Sequence, residues 1–259
     1  MLTFLNTTLF KTAAVYTISN LTNAAIPFFL LPILTRVLPP SEYGLLAMFH
    51  AFLGILAAFT GLSVQGAVGV RYVDREQIDY PRYIGSCLLI LLCSTILTFI
   101  VVFLSRNFLT KFTNLPSFWL ITAVGISFGN FLLSIRLVLW QMGKEPIRYG
   151  IFQVSYSALN MGLSLALVLL SKQGYEGRLL GQAIAVLCFS SIGLATLFHS
   201  DMVTLQPRMH YIKEALAFGA PLVPHVIGIF LIGLADRFII NQKLGLAAEI
   251  GRASCRERV

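Results

Sequence analysis

Asn20 and Asn23 lie three residues apart in a stretch, Thr12 to Thr35, that holds no charged residue. That spacing puts both amides on one face of a helix. Gln153, Tyr156 and Asn160 repeat the pattern farther along, at intervals of three and four. Amides and phenols placed this way either bind a polar solute or hydrogen-bond one helix to another, because hydrocarbon cannot solvate them. Arg136 sits in the run Ile135-Arg136-Leu137-Val138-Leu139-Trp140, where a lone guanidinium is costly unless it is solvated or paired. Its fork of donors suits the oxygens of a phosphate in a cavity. The competing reading is a side chain that snorkels to the interface beside Trp140. Arg148, two residues after Pro146, is placed to meet a phosphate from a headgroup or a solute. Asp236 and Arg237 adjoin, and they read either as an ion-pair stop at the interface or as gating partners between two helical bundles. His225, behind Pro224, is a packing donor or a proton relay.

The chemistry these residues allow is binding, not catalysis. There is no glycine-rich phosphate loop ending in Gly-Lys-Ser/Thr, so ATP is not expected to be the direct energy source within this chain. There is no His-Glu-x-x-His and no cluster of paired carboxylates, which argues against an intramembrane protease or glycosyltransferase. Cys87, Cys93 and Cys188 fall inside apolar blocks with no metal-ligand spacing and read as small apolar fillers. No catalytic residue, metal site or cofactor is expected. Movement of a solute is the class of function that remains.

The elements that carry these side chains follow from composition. Of 259 residues, 57% are hydrophobic and 12% charged, with a mean hydropathy of +0.80. Soluble domains carry about 25% charged residues. The apolar residues form long uncharged blocks in place of the short alternating strands of an outer-membrane barrel. Helices are then the only way to satisfy the backbone in lipid. The formal net charge of +8 is distributed between the blocks, which suits anionic lipid headgroups or an anionic solute better than nucleic acid.

Uncharged stretches run Thr12–Thr35, Leu45–Val70, Tyr83–Ser105, Phe112–Ile135, Tyr149–Ser171, Leu179–Ser200 and Ala215–Ala235. Each is long enough to cross about 30 Å of hydrocarbon. An all-α bundle of about seven spans is expected, with connections too short for a soluble domain. Lys11, Arg71, Arg75, Arg82, Lys144, Arg148, Arg208 and Lys213 fall on the side of the N-terminus. Arg36, Arg106, Lys111, Lys172, Arg178, Arg237 and Lys243 fall on the other, a slight bias that places the N-terminus inside. Arg71, Arg75 and Arg82 share a connection with Asp74, Glu76 and Asp79 and read as a solvated mixed-charge loop. The first and seventh spans are alike: Lys11 to Arg36 and Lys213 to Arg237 bracket proline-interrupted apolar sequence, as expected if the seventh span opens a second half. Residues 249–259 change character abruptly and, back-translated, look like a sequencing-adapter read. They are expected to be foreign to the protein.

With these elements in place, a family resemblance becomes visible. The segment Lys11…Ser19-Asn20…Leu31-Pro32-Ile33-Leu34-Thr35-Arg36-Val37-Leu38-Pro39-Pro40-Ser41-Glu42-Tyr43-Gly44 resembles the opening of bacterial polysaccharide biosynthesis proteins, the flippases for lipid-linked O-antigen and capsule units. Gly61-Leu62…Val70-Arg71-Tyr72, Gly143-Lys144…Tyr149…Asn160…Leu163-Ser164 and Phe218-Gly219-Ala220-Pro221-Leu222…Asp236-Arg237-Phe238-Ile239-Ile240 resemble later parts of the same family. The resemblance implies membership of the multidrug, oligosaccharidyl-lipid and polysaccharide exporter superfamily, in which two six-helix lobes alternate access to a central cavity. On that basis residues 1–205 form the N-terminal lobe, 206–248 begin the second, and the chain is expected to be a fragment. It also implies a multi-pass protein of the bacterial inner membrane that flips an undecaprenyl-pyrophosphate-linked oligosaccharide. Arg136, Arg148, Asn20, Asn23, Gln153 and Asn160 are then the candidate cavity residues, with membrane lipids and a polysaccharide polymerase as partners. Alternatives are a cation-coupled multidrug exporter, which needs cavity carboxylates, and a membrane enzyme of polysaccharide assembly, which needs a long catalytic loop.

Overall fold

The computed structural model describes residues 2–171 and 173–229, apart from the side chains of residues 2–9 and of Lys11, Pro27, Phe29 and Leu31. Asp236, Arg237 and residues 249–259 lie outside the described residues. Among the described residues the long elements are all helices: α1 (Leu2–Val37), α2 (Pro40–Phe59), α3 (Val64–Arg71), α4 (Tyr80–Thr113), α5 (Ser117–Met142), α6 (Pro146–Leu169), α7 (Gly174–His199) and α8 (Met209–Gly219). Past a turn at Ala220–Pro221 helical structure resumes, so that Met209–Ile229 reaches span length. That segment and α2, α4, α5, α6 and α7 are long and apolar enough to cross a membrane, and α1 is a 36-residue helix. Seven long helical segments result, in agreement with the expected bundle.

Starts and stops follow local chemistry. Pro40, Pro81 and Pro146 sit in the first turns of α2, α4 and α6, where a missing N–H costs nothing. Asn114 ends α4 in the left-handed region at φ 56°, a conformation asparagine tolerates. Boundaries expected from charge alone shift accordingly: Phe112 belongs to α4, and Arg178, assigned to a connection, lies on the second turn of α7. His210, Lys213 and Glu214 likewise stand on α8.

The expected second span, Leu45–Val70, is not one helix. After α2 the backbone turns extended at Thr60 (ψ 113°), then left-handed through Gly61 (φ 74°), Leu62 (φ 48°) and Ser63 (φ 57°) before α3 begins. Non-helical backbone survives at membrane depth only when protein covers it. Here the Gly61 N–H donates to Ser94 Oγ of α4 at 2.8 Å. The Leu62 carbonyl lies so close to Gly219 of α8 that a Cβ there would sit 2.3 Å from its oxygen.

α5 is the hub, in contact with α2, α3, α4, α6 and α7. Two apolar clusters fill the bundle. One, with Leu34, Phe49, Trp119, Leu120, Val168 and Leu179, lies toward the end where α1 meets α2. The other, with Val64, Tyr83, Ile84, Ile135, Leu139 and Tyr211, joins α3, α4, α5 and α8. α6 and α7 pack tightly because Gly177 and Gly181, four apart on α7, let the backbones meet: a Cβ on Gly181 would stand 2.6 Å from the Ser164 nitrogen. The chain direction makes a topology prediction. Reporter fusions after Ile78 and Glu145 should read one side of the membrane, the cytoplasmic one, and fusions after Asn114 and Gln173 the other. Matching activity from all four would contradict the span order.

Candidate functional site

Polar side chains from three helices converge where α1, α5 and α6 face one another. Asn23 comes from α1, Asn130 and Ser134 from α5, and Gln153 and Tyr156 from α6; Leu133, Leu137 and Phe152 complete a cavity of about 200 Å³. At 1.5 Å per residue, Gln153 is about 10 Å along α6, one of the helices long and apolar enough to cross a membrane. No charged side chain belongs to this lining.

The spacing of each residue explains its place. Asn130 and Ser134 are four apart on α5 and so share a face, as Gln153 and Tyr156 do on α6. Tyr156 Oη donates to Asn130 Oδ1 at 3.5 Å, a long bond. Asn23 Oδ1 accepts a hydrogen bond from Ser157. Gln153 keeps a buried Oε1 that has no partner within the protein, which leaves an acceptor on offer to an occupant. The expected pair Asn23 and Gln153 is thus brought together, and Asn130, Ser134 and Tyr156 join it. Only the i, i+4 spacing of Asn130 and Ser134 in an uncharged stretch signalled the α5 contribution.

The other candidates stand elsewhere. Asn20 is exposed and accepts from Tyr149 Oη at 3.2 Å, a bond that with Ser157–Asn23 ties α1 to α6. Arg148 is exposed and pairs with Glu145 at 2.7 Å near the start of α6, outside the cavity lining. Asn160 is taken by Arg178, whose guanidinium donates to Asn160 Oδ1 and to Ser164 Oγ, each at 2.9 Å. Arg136 is 6% exposed, so it does not snorkel to water. Its guanidinium lies 4.2 Å from the centroid of the Trp140 ring, and Trp140 meets Phe152 edge-on at 5.0 Å. Arg136 itself is not part of the cavity lining, although its neighbour Leu137 and Phe152 are. His225 is exposed on the helical stretch after Pro221.

The connection between α7 and α8 is strapped to α4. Thr204 N–H donates to the Pro81 carbonyl at 3.1 Å, Arg208 N–H to Ser86 Oγ at 3.2 Å, and Arg82 to Gln206 Oε1 at 3.1 Å. Arg71, read from sequence as part of a solvated loop, instead bridges α3 to Glu214 of α8 while pairing with Asp74 at 2.9 Å. These groups are partly exposed, so the bridge contributes modestly: a double-mutant cycle on Arg71→Ala and Glu214→Ala, read by thermal melting, should give a coupling of about 1 kcal/mol. Additive losses would mean that α8 docks by apolar packing alone.

Residues 9–251 match the family model for polysaccharide biosynthesis proteins. The chain belongs to that family. Among curated relatives of this family member, a Haemophilus influenzae protein named for the Lsg locus is 24% identical over 252 residues, 90% of this chain and 57% of its own length. An uncharacterized membrane protein of the same organism is 28% identical over 94% of this chain and 58% of its own. The chain thus spans under three-fifths of the length of these relatives. In three dimensions it is similar to a variant of the Vibrio cholerae MATE transporter VcmN, with a TM-score of 0.72 and 14% identity over 97% of this chain and 60% of that one. It is also similar to a MOP superfamily transporter from Pyrococcus furiosus, with a TM-score of 0.69 and 16% identity over 95% of this chain and 56% of that one. At such identities the likeness speaks to the fold: this polysaccharide biosynthesis family member is a multi-pass membrane protein with the MOP and MATE helical arrangement.

Proposed function

We propose that this polysaccharide biosynthesis protein supplies the first lobe of a transporter that flips lipid-linked oligosaccharide units across the bacterial inner membrane for surface polysaccharides such as O-antigen. The observation that carries the reading is the uncharged polar cavity inside a membrane bundle whose sequence matches this family. A cation-coupled exporter needs a carboxylate at the site, and the lining offers amides and hydroxyls. The chemistry proposed is carriage of the unit without covalent change. Asn23, Gln153 and Tyr156 hold the saccharide, while Arg136 braces the wall behind Phe152.

The test is genetic and chemical together. Deleting the gene in its source bacterium should remove the surface polysaccharide and leave repeat units attached to lipid, and the wild-type gene should restore export. Surface polysaccharide at normal level in the deletion strain, with no lipid-linked units accumulating, overturns the proposal.

A further inference from the structure

We propose that the cavity between α1, α5 and α6 is a binding site for one neutral sugar ring, distinct from any site for the phosphates of the transported lipid. The inference rests on the export reading for its biological occupant but on the cavity's own chemistry for its class of ligand. An anion calls for guanidinium, ammonium or converging N–H groups, and no cationic side chain lines the space. Arg136 is stacked on Trp140 and stays outside the lining, and Arg178 is spent on Asn160 and Ser164. A metal or organic cation calls for carboxylates, and none lines the space.

What the lining does offer is a mixture of donors and acceptors on one side and ring faces on another. The partnerless Gln153 Oε1 accepts, the long Tyr156–Asn130 bond leaves room to admit a hydroxyl between its partners, and Ser134 Oγ, whose proton goes to the Asn130 carbonyl at 2.9 Å, also accepts. Phe152 and Tyr156 supply flat apolar surface for the C–H face of a pyranose. The volume, about 200 Å³, matches about seven waters. That is room for one ring and its substituents. Sugars alternate hydroxyl edges with C–H faces, and this lining does the same.

The test uses the full chain in lipid nanodiscs and saturation-transfer-difference NMR, which reads weak binding. The probes are the methyl glycosides of N-acetylglucosamine and galactose, with glucuronate as the charged comparison. Signal is expected from at least one neutral glycoside and at most a tenth as much from glucuronate. Gln153→Met, close to isosteric, should weaken binding about tenfold, and Tyr156→Phe about threefold. Cys93→Ser, at an exposed position on α4, should leave it unchanged. Melting temperature confirms that each variant is folded. No transfer to either neutral glycoside, equal transfer to glucuronate, or full binding in folded Gln153→Met each overturns the proposal. Neutral sugar binding in a protein whose deletion leaves export intact keeps the site and removes the flippase reading. Export that persists while no neutral sugar binds does the reverse.

Discussion

Arg136→Glu is expected to reduce the protein in the membrane fraction at least about fivefold, whereas Arg136→Met should leave its abundance near that of the wild type. The guanidinium is 6% exposed and rests on the Trp140 ring, with Nε buried and without a hydrogen-bond partner. A carboxylate in the same place keeps the burial and loses the cation–π attraction. A lone charge left inside costs about 3–5 kcal/mol, of the order of a domain's whole stability, while an apolar side chain of similar volume is often neutral. The Met variant also separates bracing from substrate contact. Because Arg136 is not among the residues that line the cavity, export should stay within about twofold of wild type in Arg136→Met, a change of about 0.4 kcal/mol. Loss of export at normal abundance would assign Arg136 a direct part in holding the substrate. Quantitative immunoblotting of membranes beside surface-polysaccharide staining reads both quantities.

Gly61→Val should be the most destabilising single change in the first half of the chain, with a cost of about 3–5 kcal/mol and a melting temperature lower by many degrees in detergent. Two independent faults coincide. Gly61 has φ 74°, where a β-branched residue is strained. A Cβ there would also fall 2.1 Å from the Phe131 ring, which is 6% exposed and packed within the second apolar cluster. Displacing Phe131 disturbs α5 one residue from Asn130 of the cavity. The corner also seats α8 through Gly219, so the fault should spread to the second apolar cluster. Fluorescence-detected size-exclusion chromatography after a heating series measures the loss. A variant as heat-resistant as wild type would show that the corner is not fixed by its contacts.

These two positions also show what a sequence discloses and what it hides. Long uncharged runs locate the helices, because crossing hydrocarbon requires both length and lack of charge. The break at Thr60–Ser63 is invisible to that criterion: hydropathy averages side chains, and the run there stays apolar while only φ and ψ change. Asn23, Gln153 and Tyr156 could be read as facing inward from their spacing alone, since lipid excludes them. Their convergence with Asn130 and Ser134 could not, because periodicity gives each helix a face and says nothing about which faces meet. Arg178 misled for the opposite reason. Its charge marked the end of a loop, yet Asn160 and Ser164 on α6 provide acceptors that let the cation enter the bundle. Arg71 went the same way, since a residue that looked solvated within its own loop found Glu214 on a helix far along the chain.

The central claim is that glycan occupies the cavity between α1, α5 and α6 during export, and photo-crosslinking in living cells tests it most directly. A benzophenone amino acid introduced at position 153, and in a separate strain at the exposed position 93 of α4, is irradiated while cells make their surface polysaccharide. Mass spectrometry of the purified protein then reads any attached sugar. Adducts carrying the repeat-unit saccharide are expected at position 153 and not at 93. Saccharide adducts absent from 153, or equally frequent at both positions, would contradict the account.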